Sequence, residues 1–461
     1  MLQICLITNR MIRLIINILT LSIIFIIGFQ NAYSEETTIS LKQAIGIALE
    51  KNDELKASES SLKAKNDEIG ISRSSLLPSL NVDENFVRTN NPTAVFSEKL
   101  NQGRFSQSDF EISALNDPEP INNFKTSFSV EMPVLAVQDY LSLKSSKSEY
   151  LSGKNEFERD RELLVFNIIQ SYINVQTAKQ FVLVAEKALE SAKEHYRISK
   201  KRYNSGLGLY SDTLRASSEV SRAKQQMVST IKTLNVEKRR LGLLLGSGQS
   251  VDTDPTEIKI PLQDEQYYLD NSSHRSDIQA LKIKHEDAKT NVLIAKSGYL
   301  PRFGLRGDYQ LDDSNTPFGS DGESWFIGGY MRWELFNGGK REYEIAKAKN
   351  AEEESFRLLE SLKNSVALKV YDAYLTVDEA RKKTEYSKSA LKSAEEGARL
   401  VEKRYENSLS PLVDLLDAQL NLDRARAELV ANKNEFLSSV ARLSFVSGTI
   451  LEDLDIETKQ E

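Results

Sequence analysis

The chain has 461 residues, 60 basic and 67 acidic side chains, a net charge of -7, 40% hydrophobic content, one cysteine, three histidines and ten prolines. A mean hydropathy of -0.41 and a single apolar run of about twenty residues exclude a polytopic helical membrane protein, and the acidic balance offers nucleic acid no basic surface. Length alone suggests roughly two to four domains, while ample Leu, Ile and Val argue against disorder.

Residues 1–34 carry Arg10 and Arg13, no acid, the apolar run Leu14 to Phe29, and then Ala32-Tyr33-Ser34 before Glu35. This pattern predicts a cleaved secretory signal peptide, starting at Met1 or Met11, rather than a retained anchor. The only cysteine, Cys5, precedes the apolar run and cannot be a lipid-bearing cleavage site. A secreted chain without disulfides must be held by its core or by oligomerisation.

Beyond the leader the chain is written twice. Leu55, Leu77-Pro78 and Leu80 return at an offset of 223 as Ile278, Leu300-Pro301 and Phe303. Tyr172, Lys201-Arg202-Tyr203, Asp212, Ala216, Arg222-Ala223 and Gly246 return at an offset of 202 as Tyr374, Lys403-Arg404-Tyr405, Asp414, Ala418, Arg424-Ala425 and Gly448. The change of offset marks Asn91 to Asn123 as an extra loop in the first copy. The expected organisation is a first repeat over 35–250 with a hairpin at about 79–136, a linker at 251–268, a second repeat over 269–448 with a hairpin at about 302–336, and a tail at 449–461.

Glycine is absent from Lys154 to Ser205 and from Lys340 to Glu396. Helices over Ser145 to Tyr203 and Lys340 to Tyr405 would each reach about 90 to 100 Å. Their thin apolar stripe, Leu164, Ile168, Tyr172, Val175, Val182, Ala185 and Leu189, suits close coiled-coil packing. Pro78 and Pro301 mark the change from helix to strand. After Pro301, Phe303, Leu305, Gly307, Tyr309 and Leu311 alternate with polar residues, and Trp325 to Leu335 and the first copy repeat the period of two. Each run is about ten residues, the span of a tilted strand across a bilayer. Four strands are too few for a barrel, which needs about eight, so several chains would have to pool them. Trp325 and Trp333, both expected in the last strand, with Tyr309 and Tyr330, would be membrane-interface aromatics.

These pieces together resemble the TolC-like outer-membrane efflux protein family. The resemblance rests on Leu41-Lys42-Gln43-Ala44 with Ala48-Leu49 and Asn52, the two Leu-Pro pairs, Leu335-Phe336-Asn337-Gly338-Gly339, and Tyr405 followed by Leu412-Val413-Asp414-Leu415-Leu416-Asp417-Ala418. It spans roughly Ile39 to Gly448. It implies a mainly α protein with a transmembrane β part: a homotrimer whose chains each give four strands to a 12-stranded outer-membrane β-barrel, continued by a periplasmic α-helical coiled-coil barrel. The implied function is a passive exit duct in outer-membrane lipid, working with a periplasmic adaptor (membrane fusion) protein and an inner-membrane transporter of the ABC, RND or MFS type. Its cargo would be small toxic molecules, metal ions or secreted polypeptides.

By the repeat, turns at Asn204 to Ser211 and Glu406 to Ser410 join the long helices to their return helices. The resemblance makes this end a periplasmic aperture lined by Asp414 and Asp417. Three residues apart on a helix, they share a face. Carboxylates gathered from three chains would favour cations. Read without the resemblance, Ser410 is an N-cap, Pro411 the first helical residue, and the acids answer the helix dipole. Asp212 and Tyr405 match aperture-closing positions in the family. Ser410 stands where relatives carry an arginine, and Arg215 is the candidate substitute.

His195, His274 and His285 stand apart, Gly206-Leu207-Gly208 lacks the context of a phosphate loop, and no nucleophile has a base in a recognisable motif. The expectation is no enzyme, no cofactor, no metal site and no nucleic acid. The alternative function is a periplasmic coiled-coil scaffold or adaptor outside any membrane.

Overall fold

The computed structural model describes residues 38–256, 258 and 260–456, so the leader reading of 1–34 lies outside the described residues. A short strand β1 (Thr38–Ile39) leads into α1 (Leu41–Lys51). Its start is a capping box in which the Ser40 hydroxyl accepts from the Gln43 N–H at 3.3 Å and the Gln43 side chain accepts from the Ser40 N–H at 2.9 Å. There follow α2 (Asp53–Ser74), β2 (Ser79–Thr89), α3 (Pro92–Asn101), a 3-10 turn (Gln107–Phe110), α4 (Ile112–Asn116) and β3 (Ile121–Leu135). The first long helix, α5 (Val137–Asn204), returns as α6 (Tyr210–Leu244), and β4 (Asp252–Thr253) pairs in parallel with β1. The order then repeats as α7 (Glu265–Ser272), α8 (Ser276–Ser297), β5 (Arg302–Asp313), β6 (Gly322–Arg332), α9 (Lys340–Glu406) and α10 (Leu412–Ser447). With no proline and a single glycine each, Gly153 and Gly397, α5 and α9 run unbroken for 68 and 67 residues.

The chain forms two compact units that cut across the two sequence copies, because each long helix contributes to both. The first takes the described residues of Met1–Asp53, Glu162–Glu265 and Tyr371–Glu461. Its centre is α5, where Ile168, Ile169, Tyr172 and Ile173 are almost fully buried. Burial of each such side chain contributes about 1.5–3 kcal/mol. The Tyr172 hydroxyl donates to the Ile39 carbonyl at 3.0 Å, tying β1 to the long helix. Beside it, burial would push the Asp252 carboxyl up, but hydrogen bonds from Lys179 and Lys238 outweigh that and hold it below the usual carboxylate range. Packing of α10 onto α5 is set by Phe166 and Phe445, stacked with centroids 4.8 Å apart, and by Thr177 donating to Asn434 at 2.9 Å.

The second unit holds Glu54–Arg161 and Gln266–Val370. Small residues allow its helices to approach closely. Ser72 and Ser146 share a hydrogen bond of 2.6 Å, Ser152 donates to the Ala280 carbonyl at 3.1 Å, and Glu156 accepts from Lys65 at 2.9 Å and Lys284 at 2.5 Å. The unit also carries one antiparallel sheet in the order β2-β3-β5-β6. Leu77-Pro78 and Leu300-Pro301 enter it alike. The Leu77 N–H reaches the Ser74 carbonyl and the Leu300 N–H the Ser297 carbonyl, and each following proline has no N–H to carry the helix on.

The register aligns every apolar row on one face. Val82 lies opposite Phe128, Phe128 opposite Tyr309, and Tyr309 opposite Trp325; Leu80, Val130, Gly307 and Ile327 form the next row. Trp325 and Ile327 are 73% and 78% exposed, so this face has no cover within the chain. The opposite face carries Lys125, Ser127, Ser129, Glu131, Arg306, Asp308 and Gln310. Strands β2 and β6 are unpaired edges among the described residues.

Candidate functional site

Two regions merit attention as functional: the helix turns of the first unit and the sheet of the second. At the first turn, α5 ends in Lys201 and Arg202, Gly206 takes φ 72°, and the Leu207 N–H returns to the Arg202 carbonyl at 2.9 Å. The second turn repeats it 202 positions later. Ser408 takes φ 62°, and the Leu409 N–H returns to the Arg404 carbonyl at 2.7 Å. A left-handed serine has no glycine freedom and holds a conformation that costs about 1–2 kcal/mol. Helix α10 then starts at Leu412 with Pro411 as its N-cap and no side-chain cap. The expected Ser410 cap is therefore not formed. Its hydroxyl is buried without a partner, because the chain reaches extended geometry one residue later than the pattern suggested.

Tyr405 is the hub of this end, 2% exposed and packed with Ile198, Ala216, Leu412 and Leu415. Its hydroxyl shares a hydrogen bond of 2.9 Å with Ser199. The Arg202 guanidinium lies 4.4 Å from the ring centroid and donates to the Tyr405 carbonyl at 2.6 Å, cross-linking the first turn to the second. One helical turn away His195 is buried, with Nε2 3.9 Å from a Glu402 oxygen and Nδ1 unpartnered. Burial pushes its imidazole below the ordinary value, and burial, then Glu406 and Glu194, push the Glu402 carboxyl up.

The acids sit differently. Asp414 and Asp417 are exposed, Asp212 is half-buried and Arg215 is exposed, and their side chains form no hydrogen bond or ion pair among the described residues. Tyr405 and these charges thus share one end without closing it within a single chain. Arg215 makes no salt link to Asp414 or Asp417 inside the chain. Sequence reasoning singled out Tyr405 but missed Arg202, Ser199 and His195; the repeated Lys-Arg-Tyr triplet was the available signal for Arg202.

In the sheet, Trp325 and Tyr309 are cross-strand partners on the apolar face near its turns, and the Tyr309 hydroxyl donates to Glu323 at 2.6 Å. Trp333 is not in the last strand, which ends at Arg332; its indole N–H donates to the Tyr299 carbonyl at 3.1 Å, close to where helix α8 hands over to β5. Tyr330 parts company with both tryptophans. It lies on the polar face with its hydroxyl donating to Glu131 at 2.6 Å, because an even position in β6 faces away from Trp325. Among the described residues no helix is long and apolar enough to cross a membrane, and no group of three or more His, Cys, Asp or Glu could hold a metal ion.

An exposed apolar sheet face beside long, sparsely cored helices is the mark of a membrane-associated strand protein, and the relatives say which. Residues 44–247 and 270–449 match the family described as Outer membrane efflux protein, and the chain belongs to it. It is 20% identical to the alkaline protease secretion protein AprF of Pseudomonas aeruginosa over 91% of this chain and 86% of that one. It is 21% identical to the outer membrane protein TolC of Vibrio cholerae over 68% of this chain and 74% of that one. The fold matches the CmeC outer membrane channel of Campylobacter jejuni with a TM-score of 0.75 at 19% identity, covering 91% and 90% of the two chains. For the MtrE outer membrane channel of Neisseria gonorrhoeae the TM-score is 0.74 at 19% identity, covering 93% and 96%. The chain is an outer-membrane protein whose helical part is periplasmic, from a family of efflux and secretion channels rather than enzymes.

Proposed function

We propose that three copies of this chain form one passive exit duct, their sheets pooled into a 12-stranded outer-membrane β-barrel and their helices continued as a periplasmic α-helical barrel. The observation that carries this reading is the open sheet with an uncovered apolar face and unpaired edges on β2 and β6, in a chain of an outer-membrane family. In lipid each unsatisfied edge group costs several kcal/mol, so a lone sheet is not a stable endpoint. Pairing β6 of one chain with β2 of the next removes every edge and turns the apolar face to lipid. Each chain enters as a duplicated protomer, with repeats at 35–250 and 269–448 around the linker 251–268 and the tail 449–461, after loss of the leader 1–34. Trp325 and Tyr309 serve one membrane interface and Trp333 the other, while Pro78 and Pro301 turn helix into strand.

At the helix turns, Asp414 and Asp417 line an aperture that favours cations, and Asp212, Arg215 and Tyr405 belong to the contacts that close it. An adaptor protein and an inner-membrane transporter dock on and energise the duct. AprF, by its name, serves protease secretion, and the relative OprJ is an outer membrane protein of the same organism. Efflux of small molecules or secretion of polypeptides is the corresponding cargo here. The test is fractionation followed by planar-bilayer recording. Heat- and detergent-resistant trimers from the outer membrane that conduct, and whose block by divalent cations is lost in Asp414→Ala/Asp417→Ala, support the duct with its acidic aperture. A soluble monomer would refute the duct, and unchanged cation block in the double variant would refute the aperture.

A further inference from the structure

Both hairpins turn at the end of the sheet remote from the helices. Between β5 and β6 the turn is short, residues 314–321, whereas residues 90–120 between β2 and β3 form a folded body. Asn91 caps α3 by accepting from the Ala94 N–H at 3.1 Å. Phe105 packs edge to face against Phe96 and Phe110, with centroids 4.9 and 5.0 Å away. Lys99 donates to Asp109 at 2.6 Å, and with the Ser106 N–H it holds that carboxyl down at about 2.

Where this body sits is decided by three residues of one sheet face. The Asn123 amide donates to Asp312 at 2.8 Å and also to Glu98 of α3. Gln102, 2% exposed, donates to the Asn122 carbonyl at 2.8 Å and to the Asn123 side chain at 2.7 Å. Gly322 lies opposite Asp312, and a Cβ there would stand 1.8 Å from the Asn101 carbonyl oxygen at the end of α3. By the strand alternation, Asn123, Asp312 and Gly322 share the polar face with Arg306, Asp308 and Gln310, not the apolar face with Trp325 and Ile327. Three separate contacts therefore fasten α3 to the polar side.

We propose that the Asn91–Pro120 insert is a constriction inside the outward mouth of the channel that sets the largest solute able to pass there. This rests on the duct reading. With the apolar face in lipid, the polar face lines the lumen, so a body fastened to that face at the turn end lies within the mouth. Twelve strands spaced about 4.8 Å apart and tilted by about 40° enclose a ring about 24 Å across at the backbone. Three α-helices, each about 10 Å thick with side chains, take up most of such a cross-section, whereas three short turns would not. The seat is specific: glycine at 322 is the residue that lets the Asn101 carbonyl approach the strand, and the Asn123 side chain bridges the insert to β5.

The experiment records single purified trimers in planar bilayers with neutral polyethylene glycols of graded size added from the loop side or the helix side. Wild type is compared with a variant whose residues 92–117 are replaced by a short Gly-Ser turn, and with Gly322→Val, which keeps the insert but displaces it from the strand. The expected result is a larger excluded polymer from the loop side in both variants, a conductance raised about twofold as the limiting diameter widens, and an unchanged cutoff from the helix side. An unchanged loop-side cutoff in heat-resistant trimers of either variant overturns the constriction and leaves the duct intact. Absence of any channel from wild-type trimers overturns both.

Discussion

Acidic side chains at the turns of the sheet and at the helix turns behave in opposite ways. At the turns of the sheet several are partnered: Asp109 with Lys99, Asp312 with Asn123, Asp313 with the Asn315 and Thr316 N–H groups at 2.7 and 2.8 Å, and Asp321 with the Ser314 N–H and hydroxyl at 3.1 and 2.9 Å. At the helix turns the side chains of Asp212, Asp414 and Asp417 have no partner among the described residues, although Arg215 is close in sequence. Partnered carboxylates build local structure, whereas unpartnered ones on an exposed helix face remain available to a second chain or a cation. The helix dipole accounts for Asp212 and Asp414 in the first turns of α6 and α10, but its effect fades within that turn and does not reach Asp417.

The contrast can be broken at its strongest point. Tyr405→Ala removes the buried hub between the two helix turns and is expected to cost about 3–5 kcal/mol, read as earlier thermal unfolding and proteolytic nicking of both turns. Tyr405→Phe, which loses the Ser199 hydrogen bond and keeps the ring against Arg202, should cost about 1 kcal/mol. Equal effects from the two would show that the ring is not the hub.

At the sheet turns, Asn123→Ala leaves Gln102 without its side-chain acceptor and sets Glu98 and Asp312 face to face. A loss of about 1–3 kcal/mol should appear as faster amide exchange in α3, with β2 and β3 protected as before. A smaller effect follows from pH. The Asp109 carboxyl is held below its ordinary value, so its contribution is present above about 3.8 and disappears as the pH falls toward about 2. Exchange protection in the insert should decline over that window and no higher, and Asp109→Asn should abolish the step. The smallest change in stability belongs to the pair proposed to line the aperture. Asp414→Ala/Asp417→Ala should alter unfolding by no more than about 0.5 kcal/mol, as expected of exposed acids with no partner among the described residues. A large destabilisation would reveal a structural role and erase the difference between the two sets of turns.

Much of this was legible in the residues. The glycine gaps announced α5 and α9, the Leu-Pro pairs announced the entry into each strand, and the constant offset carried down to backbone conformation, with Gly206 and Ser408 both left-handed. Less legible were contacts between elements distant in the chain. Nothing local marks Ser199 or His195 as neighbours of α9, or Gly322 as the place where α3 comes to rest. Period-two reading placed Trp333 in one stripe with Trp325, but it counts residues without knowing where a strand ends; Tyr330, grouped with them as an aromatic, has the other parity.

By itself the sequence determined the kinds of element and their order, because helix continuity, strand alternation and chain turns depend on side chains a few residues apart. It also set the number of long strands at four, which leaves two edges in the sheet. Only the tertiary structure decided the register that brings the apolar residues of four strands onto one face, the side of the sheet that receives the insert, and which carboxylates go unpaired. Those depend on groups that meet across more than a hundred residues, as Asn123 meets Asp312, where the pairing of a few buried polar atoms selects one arrangement among several that local patterning allows equally.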